Sequence, residues 1–433
     1  MFSKFSMRSS CKLACLTISV AAHGDQFNEC RGQRRPGGMR DDPGFATEKQ
    51  HVANYRSMFQ HIFTVILLLL LAPYLAQVAR AAPVFTGDVY PSLDPLAWDS
   101  STVGFIGKYS DGTATVASGG ILQSNTATLG HFFYSSGTAT VTGAGSKWTN
   151  GSDLYVGNGG TGTLNIEAGG LVSNSAGYLG YNTGSIGTAT VTGSGSKWTN
   201  GSDLYVGNGG TGTLNIEAGG LVSNSAGYLG YNTGSIGTAT VTGSGSKWTN
   251  RGSLYVGSSG TGTLRIEAGG QVSNSAGFLG TGTATVTGSG SKWTNGSDLY
   301  VGYYGNGTLR IEAGGLVSNS TGYLGYNTGF IGTATVTGSG SKWTNGSDLY
   351  VGYYGNGTLR IEAGGLVSNT IGYLGYGGTG TATVTGPGST WINNSELRVG
   401  NSGSGTLRIE AGGQVSDTYG ILGYSTGGGT ATV

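Results

Sequence analysis

Six glutamates recur at one position of a repeated motif, and they are the first candidates for acid–base chemistry. Each follows the letters GTL-x-I, and four have an arginine two residues earlier. A pair of carboxylates that works as general acid and base needs one position with a special environment. Six equivalent copies instead indicate a solvated face, so we expect no enzyme activity here. The residues are Glu167, Glu217, Glu267, Glu312, Glu362 and Glu410, with Arg265, Arg310, Arg360 and Arg408.

Metal sites built from histidine or cysteine are not expected in the repeats. His131 is the sole histidine after residue 81, and Cys11, Cys15 and Cys30 all precede it. We interpret a lone histidine in the sequence HFFYSSG as structural. Calcium-binding repeats need an aspartate in G-G-x-G-x-D, and the stretch GNGGTGTLNI has none at that position. The sequence therefore predicts no cofactor.

Tyrosines form a further regular set of side chains that could bind a partner. Aromatic rings on a regular surface stack on sugars or pack on proteins, so they are candidate surface contacts. The alternative is that they cover gaps between neighbouring coils. Five stand in the motif LYV, and two pairs follow in loops. The candidates are Tyr155, Tyr205, Tyr255, Tyr300 and Tyr350, with the pairs Tyr303 and Tyr304, and Tyr353 and Tyr354.

A repeat of 50 residues must position these side chains. The stretch 137–186 returns almost letter for letter at 187–236, and Trp148, Trp198 and Trp248 keep the same interval. Within each copy a Gly-Thr start recurs, in most cases after 25 residues, which gives fourteen modules with the last incomplete. A fixed period of this kind predicts a solenoid rather than a compact globule.

Each module is predicted to hold three short strands. Glycine supplies 87 of the 433 residues, and each one inside a helix would cost about 1 kcal/mol relative to alanine. The stretches T-A-T-V-T and T-L-N-I-E alternate with period two, which indicates a strand with one buried face. We therefore predict an all-β fold, a parallel β-helix (β-solenoid) of three-strand coils. Comparison of the copies places Ala139 and Val141 inside, and Trp148 inside or at a corner. Tyr155 is expected outside because Arg398 replaces it in the last copy.

Four segments are expected along the chain. Residues 1–57 are interpreted as a leader that is disordered or a mis-assigned start. Residues 58–81 read as a signal peptide, because the apolar run 62–71 is too short to span a bilayer and precedes an A-x-A site. Residues 82–111 are expected to form an N-terminal cap. Residues 112–433 form the repeat domain, which ends inside a strand and is therefore expected to be truncated at its C-terminus.

The charge of the part expected to be exported gives no sign of a nucleic-acid partner. From residue 82 onward, 12 Lys and Arg stand against 16 Asp and Glu, a net charge of about −4. This composition predicts no basic stripe for nucleic acid. Cysteine is absent from this part, which excludes a disulfide framework.

The copies resemble the bacterial repeat family associated with type V secretion and PEP-CTERM proteins. The matching letters are GTATVTGSGSKWTN, LYVG, GTLNIEAGG and LVSNSAGYLG, and they run from residue 112 to the end. The resemblance implies an autotransporter passenger, exported and displayed at the cell surface or outer membrane, with no catalytic residues to carry over. No translocator barrel is found in the sequence, so outer-membrane association is expected only through a missing C-terminal part.

The function predicted from these observations is a structural stalk or adhesin that acts by multivalent contacts. We expect a monomer whose partner is a host matrix protein or polysaccharide. One alternative is the non-catalytic part of an extracellular carbohydrate-active enzyme. Another is a truncated fragment without a function of its own.

Overall fold

The computed structural model describes residues 81–433. The segment 1–57 and the predicted signal peptide, apart from its last residue, lie outside the described residues. The described chain winds as a parallel β-solenoid with three sheets, which we call sheets 1, 2 and 3 in the order in which each coil visits them. This confirms the predicted fold class. The one helical element in this part is a 3-10 turn at Pro95–Ala97.

Sheets 1 and 3 have 15 strands each and sheet 2 has 13. The strands of sheet 1 are Val84–Gly87, Gly112–Val116, Ser136–Thr142, Thr161–Glu167, Ile186–Thr192, Thr211–Glu217, Ile236–Thr242, Thr261–Glu267, Gly282–Thr287, Gly307–Glu312, Ile331–Thr337, Asn356–Glu362, Thr379–Thr385, Ser404–Glu410 and Gly429–Thr432. Those of sheet 2 are Ile121–Ser124, Lys147–Asn150, Leu171–Asn174, Lys197–Asn200, Leu221–Asn224, Lys247–Asn250, Gln271–Asn274, Lys292–Asn295, Leu316–Asn319, Lys342–Asn345, Leu366–Asn369, Thr390–Asn393 and Gln414–Ser416. Those of sheet 3 are Val89–Tyr90, Val103–Ile106, Thr126–Leu129, Leu154–Val156, Gly177–Leu179, Leu204–Val206, Gly227–Leu229, Leu254–Val256, Gly277–Leu279, Leu299–Val301, Gly322–Leu324, Leu349–Val351, Gly372–Leu374, Glu396–Val399 and Tyr419–Leu422.

The coils stack in strict register. Gly162 pairs with Gly137 below and Gly187 above, and the residues after it pair with their equivalents. Thirteen coils contribute a strand to every sheet, and a fourteenth contributes only Gly429–Thr432. The short coils lose residues in the loop from sheet 3 to sheet 1. There the strand ending at Leu279 is followed at once by the one beginning at Gly282.

Large and small side chains alternate between neighbouring coils of the core. One coil carries tryptophan in its sheet 2 strand, and the next carries valine there. In the pairs named below, the tryptophan coil has the larger residue in sheets 2 and 3, and the valine coil has the larger residue in sheet 1. The pairs in register are Ala139 with Leu164, Trp148 with Val172, and Leu154 with Gly177.

A row of buried asparagines runs beside the tryptophans. The Trp198 indole Nε1 donates to Asn174 Oδ1 at 2.7 Å, and Asn174 Nδ2 donates to Asn200 Oδ1 at 2.7 Å. The same pair of bonds returns at Trp248, Trp293, Trp343 and Trp391. Because a buried indole N–H needs an acceptor, the asparagine in the valine coil makes the tryptophan of the next coil tolerable inside the core.

The segment before the first full coil lies across the start of the solenoid. Val84–Gly87 pairs antiparallel with Gly112–Val116, and Val89–Tyr90 pairs antiparallel with Val103–Ile106. Phe85 and Trp98 pack ring against ring at 4.9 Å and are buried in the same core as the coils. These antiparallel strands satisfy the backbone groups of the first coil edge, which would otherwise offer a template for pairing.

Candidate functional site

The outward face of sheet 3 carries one continuous row of aromatic rings, which we call the tyrosine ladder. Ten rings stack face to face with centroids 4.5–5.1 Å apart and planes within 9° of parallel. This distance matches the spacing between strands, about 4.8 Å, so the parallel register itself produces the stack. The ladder consists of Tyr155, Tyr178, Tyr205, Tyr228, Tyr255, Phe278, Tyr300, Tyr323, Tyr350 and Tyr373.

The ladder ends on a cation. Arg398 pairs with Tyr373 in the next strand, and its guanidinium lies 5.4 Å from the Tyr373 ring centre and 4.3 Å from that of Tyr424. Glu396 binds the same guanidinium at 2.6 Å. The outward direction predicted for Tyr155 from this arginine is what the structure has.

A second set of tyrosines lies in the loop that follows sheet 3 and packs on the ladder edge-on. Tyr181, for example, is 4.9 Å from Tyr155 and 5.1 Å from Tyr178, nearly perpendicular to both. In the later coils these loop tyrosines also contact one another at 5.1–5.3 Å, and two of the three pairs are stacked with planes within 15° of parallel. The set is Tyr181, Tyr231, Tyr303, Tyr326, Tyr353 and Tyr376.

The structure places the predicted tyrosines together but makes most of them less accessible than the sequence indicated. The five in the LYV motif are half-buried between their neighbours rather than exposed. Of the loop pairs, Tyr303 and Tyr353 are half-buried, whereas Tyr304 and Tyr354 are 64% and 52% exposed.

Half of the ladder was missed by the sequence analysis, namely the rings of the valine coils. These stand in the motif GYLG or GFLG, where each ring directly follows a glycine instead of the leucine of LYV. Their constant 23-residue offset from the LYV tyrosines was the signal that could have found them. They are Tyr178, Tyr228, Phe278, Tyr323 and Tyr373.

The short loop interrupts the second row and opens a notch on the aromatic face. Ser258 and Thr281 stand where other coils have Asn or Tyr, and the cleft left there has a volume of about 240 Å³. Tyr255 and Phe278 form its floor, and Tyr303 and Tyr304 close one side. In this notch the ladder rings are uncovered on the solvent side.

Aspartates directly before four of the five LYV strands link the ladder to the adjacent corner. Tyr300 donates its hydroxyl to Asp298 Oδ2 at 3.1 Å, while Asp298 Oδ1 accepts the backbone N–H of Thr321. Burial, followed by the Asp298 carboxylate, raises the pKa of Tyr300 far above its usual value. The same causes, with Asp203 as the carboxylate, raise the pKa of Tyr228 to about 12. The phenols are thus held in the neutral, hydrogen-bonding form.

We expect the ladder to lose stability at high pH. Because the folded pKa values are raised, the stabilisation is complete below pH about 10, the value of an unfolded tyrosine. It is lost as the pH rises through about 12, where Tyr228 ionises in the folded chain. Phenolate absorbance and circular dichroism should therefore change together. In urea the same titration should fall near pH 10. Full ionisation of the ladder tyrosines at that pH with an unchanged dichroism spectrum would contradict the expectation.

The glutamates that opened the sequence analysis lie on the solvated side of sheet 1. Arg265 and Arg310 bind Glu267 and Glu312 at 3.3 Å and 2.6 Å, and all four side chains are solvent-accessible. Exposed pairs of this kind contribute about 0–1 kcal/mol each. These Arg–Glu pairs are equivalent to one another and recur along the outward face of sheet 1.

His131 packs among rings near the start of the coils. It lies edge-on to Phe105 at 4.6 Å and to Phe132 at 4.4 Å, and burial together with Lys108 lowers its pKa. Within residues 81–433 no group of three or more His, Cys, Asp or Glu could hold a metal ion. In the same residues no helix is long and apolar enough to cross a membrane.

Comparison with protein-family models gave no match, and a search of curated proteins gave none either. A similar solved structure is described as the crystal structure of the TibC-catalyzed hyper-glycosylated TibA55-350 fragment. The two chains are 19% identical with a TM-score of 0.43, and the alignment covers 72% of this chain and 97% of that one. At these values the likeness assigns neither a family nor an activity to this chain.

Proposed function

We propose that the chain is the exported passenger of an autotransporter-like surface protein and acts as a stalk or adhesin through repeated contacts. The observation that supports this is the unbroken register of three sheets over thirteen coils. Each outward residue type therefore recurs at a fixed spacing along one axis. Weak contacts to a polymeric partner add up when the array that presents them is rigid.

Export is supported by the sequence rather than by the fold. The signal peptide predicted at 58–81 would deliver the repeats across the inner membrane. The repeat motifs resemble those of type V secretion passengers, whose place is the cell surface or the extracellular space. Under this proposal the partner is a matrix protein or a polysaccharide outside the cell.

The aromatic face offers the contact chemistry for such a partner. Tyr304 and Tyr354 project from the loops, and the notch leaves Tyr255 and Phe278 open beside Tyr304. Flat rings with one polar tip bind sugar faces or protein side chains with little loss of side-chain entropy. The ladder holds its rings in a fixed orientation, so binding would not have to order them.

Deletion of one whole repeat tests whether the contacts are multivalent. Removing 187–236 joins Ile186 to Gly237, which recreates the natural sequence at the junction because Ile236 precedes Gly237 in the full chain. We expect the shortened chain to fold and to bind immobilised matrix protein or polysaccharide more weakly, through fewer equivalent contacts. Surface plasmon resonance at several ligand densities measures the loss.

Two results would contradict the proposal. Adhesion that is independent of ligand density would show a single site instead of an array. Release of reducing sugar from a bound polysaccharide would show that the chain is part of a carbohydrate-active enzyme.

A further inference from the structure

Sheet 2 carries a row of lysines on its outward face. Five successive tryptophan coils each have a lysine here, and register aligns these lysines along the solenoid axis with one valine-coil residue between neighbours. Two strand spacings therefore separate successive ammonium-bearing residues, or about 9.6 Å. The thirteen strands of this sheet contain no Asp or Glu. The row consists of Lys147, Lys197, Lys247, Lys292 and Lys342.

These lysines form no ion pairs within the described chain. All five salt bridges among residues 81–433 join an arginine to a glutamate. The nearby corner glutamates of the later coils, such as Glu267 and Glu312, are engaged by arginines on sheet 1. The earlier glutamates have Asn165 and Asn215 at the arginine position instead. The later half of the row is consequently the more positive one.

One place in the row differs from the rest. Between Lys247 and Lys292 the intervening residue is Gln271, whereas the other valine coils flanked by two lysines have leucine there. A groove of about 260 Å³ opens at this point, lined by the two lysines, Gln271 and the hydroxyl-bearing Thr249, Ser273 and Thr294. The tryptophan of the coil lies beneath it in the core.

The residue types and the lysine spacing of this surface indicate which kind of anionic polymer it would bind. Nucleic acid carries a charge about every 3.4 Å along each strand, far denser than one cation every 9.6 Å. A linear polysaccharide with one carboxylate on every second sugar has a charge spacing close to that of the row. Its hydroxyls can exchange hydrogen bonds with the glutamine amide and the three hydroxyls, which a simple polyanion cannot use.

We propose that the groove between Lys247 and Lys292 binds an acidic sugar of a linear polysaccharide, with the remaining lysines holding the same chain further along. A carboxylate would accept charge-assisted hydrogen bonds from the two ammonium groups. Gln271 and Ser273 would contact the neighbouring hydroxyls. The proposal rests on the proposed function, since it names the polysaccharide partner of a surface protein, but it uses a different face from the tyrosine ladder.

The test measures binding of the full chain to hyaluronan, which has one carboxylate per disaccharide, and to dextran as a neutral polymer. We expect hyaluronan to bind and to be released by salt, and dextran to bind much more weakly. The double variant Lys247→Gln and Lys292→Gln should lose about tenfold or more in affinity. The matched double variant Lys147→Gln and Lys197→Gln, which flanks Leu171, should lose about threefold or less.

The variant Gln271→Leu distinguishes the contribution of the groove to binding from that of the lysine charges. Leucine is the natural residue at this position in neighbouring valine coils, so the variant should fold like the parent chain. It keeps every lysine and should still lose about fivefold or more in hyaluronan affinity, because it replaces the hydrogen-bonding amide with an apolar side chain.

Three outcomes would overturn the inference. The first is equal binding of dextran and hyaluronan, and the second is unchanged affinity in both the groove lysine variant and Gln271→Leu. The third is tighter binding of single-stranded DNA than of hyaluronan, which would make the partner a nucleic acid. If the lysine variants keep full adhesion to a matrix or polysaccharide surface through the aromatic face, this inference fails while the proposed function stands. If no surface binds the full chain, the proposed function fails as well.

Discussion

Replacing Trp198 with alanine is expected to destabilise the centre of the solenoid by about 3–5 kcal/mol, the usual cost of removing a buried tryptophan. The side chain is fully buried and fills the space beside Gly177 in the preceding coil. Its loss also leaves Asn174 Oδ1 without the indole donor. A buried acceptor without a partner adds about 1–3 kcal/mol.

The form of the unfolding curve should change together with its midpoint. A solenoid is stabilised mainly by contacts between neighbouring coils, so a weak interface lets the two sides unfold separately. Urea unfolding followed by circular dichroism should then show two transitions where the parent chain shows a more cooperative one. Thr199→Ala, the next residue but on the outward face, is the control and should change stability by about 0.5 kcal/mol or less. A Trp198→Ala curve that overlays the parent curve would refute the account of the core.

Gly187→Ala is expected to be as damaging, although it adds a single methyl group. A Cβ at this position would overlap the carbonyl oxygen of Val156 and the backbone nitrogen of Gly180. Both are backbone atoms in the stacked corner, so neither can move without breaking the register. We expect a loss of about 3 kcal/mol, at the upper end of the range for overpacking.

The same substitution at Gly201 is the matched control. There the nearest atom to an added Cβ is the carbonyl oxygen of Asn174, at 3.7 Å, which is an ordinary contact. Gly201→Ala should therefore leave the free energy of unfolding within about 0.5 kcal/mol of the parent value. Urea unfolding measures the free energy of unfolding of both variants, and hydrogen exchange locates the weakened coils. Equal stability of the two variants would show that the corner at Gly187 can accommodate a Cβ atom.

Much of the fold could be predicted from the sequence because the chain repeats itself. Differences between copies, such as Arg398 in place of tyrosine, identified the outward positions without any coordinates. Alternation in T-A-T-V-T placed Ala139 and Val141 inside, and both are buried. A short repeat has few ways to stack, so local pattern and global fold agree closely here.

The candidate surfaces were harder to predict, because they depend on which residues of different coils meet. The ladder needed Tyr178 beside Tyr155, although 23 positions separate them in the chain. The lysine row was hidden by a net charge that is slightly negative. Composition averages the charge over all faces, whereas register collects the cations on one.

The sequence by itself determined the period, the strand pattern and the assignment of inner and outer side chains, since these follow from alternation within 25 residues. Only the tertiary structure explains why the repeating unit contains two modules of about 25 residues rather than one. Tryptophan and leucine in one coil fit only against valine and glycine in the next, so two unlike coils are needed to fill the core. It also decided which outward residues become neighbours, because hydrogen bonding between coils fixes the register that stacks the tyrosines and aligns the lysines.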